Sequence, residues 1–205
     1  DPAERVARVR SALEAAGLRP VDTYLNRLPH ELSGGQRQRV AVAAALVLEP
    51  KVLLADEPVS MLDVSIRAEI LNLLAELKQD RGISILFITH DLGTVAAVAD
   101  RIAVMYLGRI VEIGSVQQVL RNPQHPYTKA LLSVVPVPNP RLRRQRIVLQ
   151  GETPDPTRLP PGCRFAPRCP LVLPACDRGQ PLDVAVAPDH AAACLRAGEA
   201  VETVA

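Results

Sequence analysis

Three groups of residues have types and spacing that suit chemistry on a phosphate. Asp56 and Glu57 follow the apolar run Val52-Leu53-Leu54-Ala55. A carboxylate at the C-terminal end of a buried parallel strand sits where α/β sheets bind ligands. Asp56 there suits Mg²⁺, directly or through water, and Glu57 suits polarising a water for attack on a phosphate. The second group is Leu32-Ser33-Gly34-Gly35-Gln36. Two glycines at a helix start leave backbone N–H groups uncovered and let a phosphate come close, and the Ser33 hydroxyl adds a donor. The third is His90, 33 residues after Glu57 and at the end of the next apolar run. A neighbouring parallel strand brings it to the same sheet edge, within reach of a terminal phosphate. Each group alone also fits a plain role: a solvated loop end, a helix cap, a structural histidine.

The elements that must position these groups read as alternating helix and strand over residues 1–135. Val6, Val9 and Leu13 give residues 3–16 a helical face that stops at Gly17. Pro20 and Pro29 break residues 18–31. Ser33 and Gln36 form a capping-box pattern that opens a helix over Gly34 to Leu48, stopped near Pro50. Val52 to Ala55 and Ser84 to Thr89 read as buried parallel strands. Ile66, Ile70, Leu73, Leu74 and Leu77 mark the helix between them, ending before Gly82. A helix over Leu92 to Ala99 follows. Ile102 to Leu107 and Ile110 to Ile113 form a hairpin about Gly108-Arg109. Ser115 caps a short helix to Arg121, and a last helix covers Tyr127 to Val135. The predicted fold class is α/β with a mainly parallel sheet. Residues 136–205 read as a loop-rich tail holding all four cysteines and 12 of the 19 prolines.

Composition sets bounds. The 205 residues suffice for one domain, or one domain and a tail. A net charge of +2 is too small to argue for nucleic acid or a membrane surface. The longest apolar run, Val40 to Leu48, is well short of the roughly 20 residues a membrane span needs. The chain begins with Asp1 and is expected to be a fragment.

Taken together and in order, the motifs resemble those of ABC ATPases across residues 25–115. Leu32-Ser33-Gly34-Gly35-Gln36 resembles the signature, Val52-Leu53-Leu54-Ala55-Asp56-Glu57 the Walker B motif, Ser60-Met61-Leu62-Asp63 the D-loop, and His90 the switch histidine. Val59 and Met61 depart mildly from the family, which more often has Thr and Ala there. The resemblance implies a P-loop NTPase-type sheet and a head-to-tail pair of nucleotide-binding domains. In that pair Ser33, Gly34, Gly35 and Gln36 bind the partner's ATP, and Asp56 serves Mg²⁺. Glu57 acts as general base, His90 clamps the γ-phosphate, and Asp63 couples the two sites. No G-x-x-x-x-G-K-[ST] loop is present, because none of the three lysines follows a glycine. The expectation is the C-terminal part of a nucleotide-binding domain with its first strands missing. Alone it should bind ATP poorly, hydrolyse none and expose an apolar sheet face.

His125-Pro126-Tyr127-Thr128 with Leu131-Leu132, then Gly151-Glu152-Thr153-Pro154, resemble the elements after the ATPase domain in oligopeptide, dipeptide and nickel importers. The implied division is 1–121 for the nucleotide-binding part and 122–205 for the importer-type C-terminal region. Within the first, 1–50 is the helical subdomain and signature helix, and 51–121 the Walker B, D-loop and switch region. The implied function is energising peptide import at the cytoplasmic face of the cell membrane, as a peripheral subunit. The implied partners are a second ABC ATPase, permease subunits and, indirectly, an extracytoplasmic peptide-binding protein.

Cys163, Cys169, Cys176 and Cys194 are spaced C-x5-C-x6-C-x17-C. In a cytosolic protein such a cluster points to metal before disulfides. The spacing lacks the C-x2-C pair usual for structural zinc, and four thiolates suit a [4Fe–4S] cluster. Some members of the resembled importer group carry such a cluster at this place. His190 keeps zinc with mixed ligands open, and disulfides or free thiols remain a third option. Arg141, Arg143, Arg144 and Arg146 form a basic cluster that reads as a solvated linker or a contact for anionic headgroups. Two other functions compete. A soluble ABC ATPase acting on nucleic acid is opposed by the H-P-Y-T element and by having only 3 Tyr, 2 Phe and no Trp for base stacking, so no nucleic-acid partner is expected. A non-catalytic remnant is opposed by the intact Glu57 and His90.

Overall fold

A computed structural model describes residues 1–135 and 146–199. Arg141, Arg143 and Arg144 of the basic cluster lie outside the described residues. The chain forms two compact units, residues 1–90 and residues 91 onward.

The first unit contains helices α1 (Pro2–Ala15), α2 (Gly34–Leu46) and α3 (Val64–Arg81), and strands β1 (Val52–Asp56) and β2 (Ser84–Ile88). Each helix starts on a side-chain cap: Asp1, Ser33 and Asp63 accept bonds from amides of the first turn, leaving fewer orphan donors. α2 ends two residues earlier than its apolar run suggests. Pro50 disfavours helical backbone before it, and the chain turns out of the helix through Glu49, at φ +49°. Leu13 of α1, Val42 and Leu46 of α2, Leu53 of β1, and Ile70, Leu73, Leu74 and Leu77 of α3 close one core. Each such aliphatic side chain contributes about 1.5–3 kcal/mol on burial. Arg39 joins the helices, donating from Nη1 to Ala16 O at 3.0 Å and from Nη2 to Glu69 at 3.0 Å.

β1 and β2 pair in parallel with Val52 opposite Ser84 and Asp56 opposite Ile88. Their continuous apolar runs suggest burial on both faces, but one face is exposed, as expected of a sheet without its first strands. Leu53 and Ala55 face the core, whereas Val52, Leu54, Leu86 and Ile88 are exposed. An apolar run fits a strand covered on one face as well as one covered on two, and only the side toward α3 is covered here.

The second unit contains α4 (Leu92–Val98), β3 (Arg101–Tyr106), β4 (Arg109–Ser115), α5 (Val116–Arg121) and α6 (Pro126–Ser133). β3 and β4 are a hairpin joined by Leu107 and Gly108, both at positive φ, the conformation a two-residue turn of matching twist requires. The tail contains more regular structure than its proline content suggests: β5 (Val184–Ala187) and β6 (His190–Ala192) extend the hairpin into an antiparallel sheet ordered β3-β4-β6-β5. Among the described residues the fold is therefore mixed α/β, with one parallel strand pair and a separate antiparallel sheet. Tyr106, His125, Tyr127 and Phe165 pack as an aromatic cluster with ring centroids 4.7 to 5.6 Å apart.

Candidate functional site

The edge of the parallel pair brings Glu57 and His90 together. Glu57 Oε1 accepts from the His90 backbone N–H at 3.2 Å and lies 2.7 Å from His90 Nδ1. A carboxylate only accepts, so Nδ1 carries the hydrogen and Nε2 faces outward as the free ring nitrogen. The backbone of Glu57 is held on both sides. Its N–H donates to Ile88 O at 2.9 Å, one step beyond β1, and its carbonyl accepts from the Ser60 hydroxyl at 3.1 Å. Glu57 itself sits at φ +47°, a region a residue with a side chain enters at a cost of order 1 kcal/mol. The pair adds little stability: the side chains keep 36% and 80% of their surface, and exposed ion pairs contribute about 0–1 kcal/mol. What the arrangement provides is orientation, with Oε1 committed to His90 and the second carboxylate oxygen open to solvent. Asp56 is exposed beside it at the end of β1.

The signature residues lie at the start of α2. Ser33 Oγ accepts from Gln36 N–H at 3.3 Å while Gln36 Oε1 accepts from Ser33 N–H at 3.0 Å. This reciprocal cap uses acceptors and leaves donors: the Ser33 hydroxyl hydrogen, the Gln36 amide NH₂ and the first helical amides, which have no carbonyl a turn earlier. Such a donor set at the positive end of a 13-residue helix suits an anion. The same helix start packs on the start of α3. A Cβ at Gly35 would stand 2.6 Å from Ile66 Cγ2, and one at Gly34 3.9 Å from Leu62. Asp63 is exposed and accepts from Ile66 N–H at 3.0 Å, so its place in the sequence is also that of a helix cap. The backbone thus links Glu57, the turn through Ser60, Asp63 and the signature helix within one unit.

The cysteine site differs from the expectation. Cys163, Cys169, Cys176 and Cys194 are unpaired and half-buried. They feel one another electrostatically, but burial is the larger effect and pushes the thiols of Cys163 and Cys194 up and that of Cys169 up to about 11. The Cys163 N–H donates to the Cys176 carbonyl at 2.8 Å. Among the described residues no three His, Cys, Asp or Glu side chains stand together as ligands of one metal ion. His190, the mixed-ligand candidate, is engaged elsewhere. Its Nε2 lies 2.8 Å from buried Glu112, which also accepts from the backbone N–H groups of Gln124 and His125 at 2.8 Å each. Sequence reasoning missed Glu112 and the placement of His125. The available signal is a carboxylate inside the apolar strand Ile110-Val111-Glu112-Ile113, an expensive choice unless its partners are buried with it.

Among the described residues no helix is long and apolar enough to cross a membrane. Residues 3–60 match the family described as ABC transporter, and residues 111–176 the family described as oligopeptide/dipeptide transporter, C-terminal region. The dipeptide transport ATP-binding protein DppF of Haemophilus influenzae is 52% identical over 87% of this chain and 54% of its own length. The oligopeptide transport ATP-binding protein OppF of Salmonella typhimurium is 48% identical over 92% of this chain and 56% of its own. The chain thus spans about half the length of these curated relatives. Among solved structures, cbiO1 from Clostridium perfringens, part of an ABC transporter complex, superposes with a TM-score of 0.54 at 38% identity over 60% of this chain and 47% of its own. An ATP-binding cassette of an ABC transporter in its ADP conformation gives 0.53 at 33% identity over 58% and 47%. Two family matches in chain order, relatives close to half identical along most of the chain and cassettes of like fold lead to one assignment: the chain belongs to the ABC transporter ATP-binding proteins that carry the oligopeptide/dipeptide-type C-terminal region.

Proposed function

We propose that the chain is part of an ATP-binding and hydrolysing subunit that energises import of peptides across the cytoplasmic membrane by an ABC transporter. The observation that carries this reading is the oriented Glu57–His90 pair at the edge of a parallel strand pair. In this reading Glu57, with Oε1 held by His90, takes the proton of the attacking water on its other oxygen. His90 bonds the γ-phosphate only when Nε2 also carries a hydrogen, so that Nδ1 donates to Glu57 and Nε2 to a phosphate oxygen. Asp56 serves Mg²⁺, which neutralises phosphate charge when bound. Ser33, Gly34, Gly35 and Gln36 offer their unused donors to the ATP of a second ABC ATPase subunit, and Asp63 passes closure between the two sites. Permease subunits, and through them a peptide-binding protein, are the remaining partners, with the subunit peripheral at the cytoplasmic face. Residues 1–121 form the nucleotide-binding part and 122–205 the importer-type region.

We also propose that Cys163, Cys169, Cys176 and Cys194 hold a [4Fe–4S] cluster. Four unpaired thiols within electrostatic reach of one another support it. A single zinc would draw its ligands into one tight shell, whereas a cluster carries one thiolate on each of four irons and spreads them out. The raised thiols would lose protons on binding, and the cluster would supply either a staple or a one-electron redox centre.

The test is Glu57→Gln in the assembled transporter in proteoliposomes. ATP hydrolysis and peptide uptake should fall by about 10²–10⁴-fold while ATP binding persists. Near-normal hydrolysis would remove Glu57 from the role of base.

A further inference from the structure

We infer that Glu112 is a positioning residue that latches the cysteine-bearing tail to the β3–β4 hairpin, so that the strand leading into Cys194 keeps its place through the Glu112–His190 contact. The inference is independent of what the thiols hold.

The tail strands have little else to hold them. β6 is three residues long, and its backbone pairs with β4 at Glu112 opposite Ala192 and Ile113 opposite Ala191, with Ala193 N–H adding a bond to Val111 O at 2.8 Å. Strands this short are marginal by themselves. The apolar content is small: Ala191 and Ala192 bring one methyl each, and Leu182 and Val184 are exposed. Hydrophobic burial scales with area, so it contributes little at this contact. Polar bonds take its place. Arg109 donates to Pro181 O at 2.8 Å and Gln118 to Pro188 O at 2.8 Å, both toward the rim. Gly198 N–H donates to Gln124 at 3.0 Å.

Glu112–His190 differs from these because it is fully enclosed, at 1% and 2% exposure. The Glu112 carboxylate accepts from three donors at 2.8 Å: the amides of Gln124 and His125, which open the turn into α6, and the ring of His190. Charge-assisted bonds in such a setting are about twice as strong as neutral ones. Removing one partner leaves a buried polar group uncompensated, which costs more than the bond itself contributes. Glu112 therefore ties three segments that are distant in sequence: β4, the His125-Pro126 turn and β6. Cys194 follows two residues after β6, whereas Cys163 and Cys169 pack on the aromatic cluster around Phe165. Of these three cysteines, Cys194 is the one that follows the latched strand.

The test is amide hydrogen exchange on the full chain with Glu112→Gln, with His190→Gln and with both. Exchange at Ala193, whose amide bonds Val111 O, should rise about tenfold or more in each single variant. Both changes break the Glu112–His190 contact, so the double variant should rise by less than the two single effects combined. The amide of Ala166, bonded to Cys163 O at 2.9 Å in the same unit, should stay protected. Unchanged exchange at Ala193, additive effects in the double variant, or an equal rise at Ala166 would each overturn the latch. If Glu112→Gln unfolds the unit, His190→Gln decides alone by the same comparison.

Discussion

His125 offers a quantitative check on how the second unit is held. Its ring is 1% exposed, and burial pushes its pKa down from 6.5 to about 4. The cause is visible in its contacts. Nδ1 accepts from Tyr127 N–H at 3.1 Å, capping α6, so the hydrogen of the neutral ring must sit on Nε2. Protonation would place a second N–H against the Tyr127 amide and charge a ring packed on Phe165. In the unfolded chain the same histidine takes a proton near its ordinary value. Between the two pKa values the unfolded state therefore binds more protons, and stability falls as pH falls. The contribution is complete above the unfolded value and is lost progressively toward the folded one. Going from about pH 7.5 to about pH 5, this one group removes about 2 kcal/mol. His125→Asn keeps a capping acceptor but does not titrate. Urea unfolding of both proteins at the two pH values should show the variant losing about 2 kcal/mol less than the parent, and the His125 ring resonance should stay put through the ordinary histidine range. An equal loss in both proteins, or a ring that titrates near 6.5, would refute the account.

Gly35→Ala places a Cβ 2.6 Å from Ile66 Cγ2 and should destabilise the first unit by about 1–3 kcal/mol, offset by less than about 1 kcal/mol of helix propensity. Adding Ile66→Ala should recover part of that loss in thermal unfolding; a strictly additive double variant would rule out the collision. Iron and acid-labile sulfide, measured on anaerobically purified protein, should each reach about four per chain and vanish with Cys163→Ser. Zinc, or no metal, would remove the cluster.

The elements around the catalytic-type residues were legible because their signals are local. Ser33 and Gln36 sit three residues apart, and the capping box they form needs nothing beyond one helical turn. Gly82 ends α3 where the apolar period stops. The proximity of Glu57 and His90 followed from two apolar runs separated by one helix, since a crossover of that length makes the strands parallel neighbours. The tail was not legible in the same way. Val184-Ala185-Val186-Ala187 and His190-Ala191-Ala192 are too short and too poor in large side chains to show a period, and their pairing is supplied by β4. The exposed apolar face of β1 and β2 was expected from the resemblance to a sheet with further strands, not from the apolar runs, which carry no record of how many faces are packed.

The sequence by itself determined the order of the motifs, the helices that start on Ser33 and Ser115, and the family those motifs point to. These rest on contacts within a few residues, or on a pattern of residue types that survives without any fold. The tertiary structure alone decided that Glu112 is enclosed with His190, that His125 caps α6 as a neutral ring, and that Gly35 is needed against Ile66. Glu112 and His190 lie 78 residues apart and meet, as the His125 ring meets Phe165, in a space closed to water, where an unpaired polar atom or an added methyl group is costly. Spacing along the chain carries no measure of that enclosure.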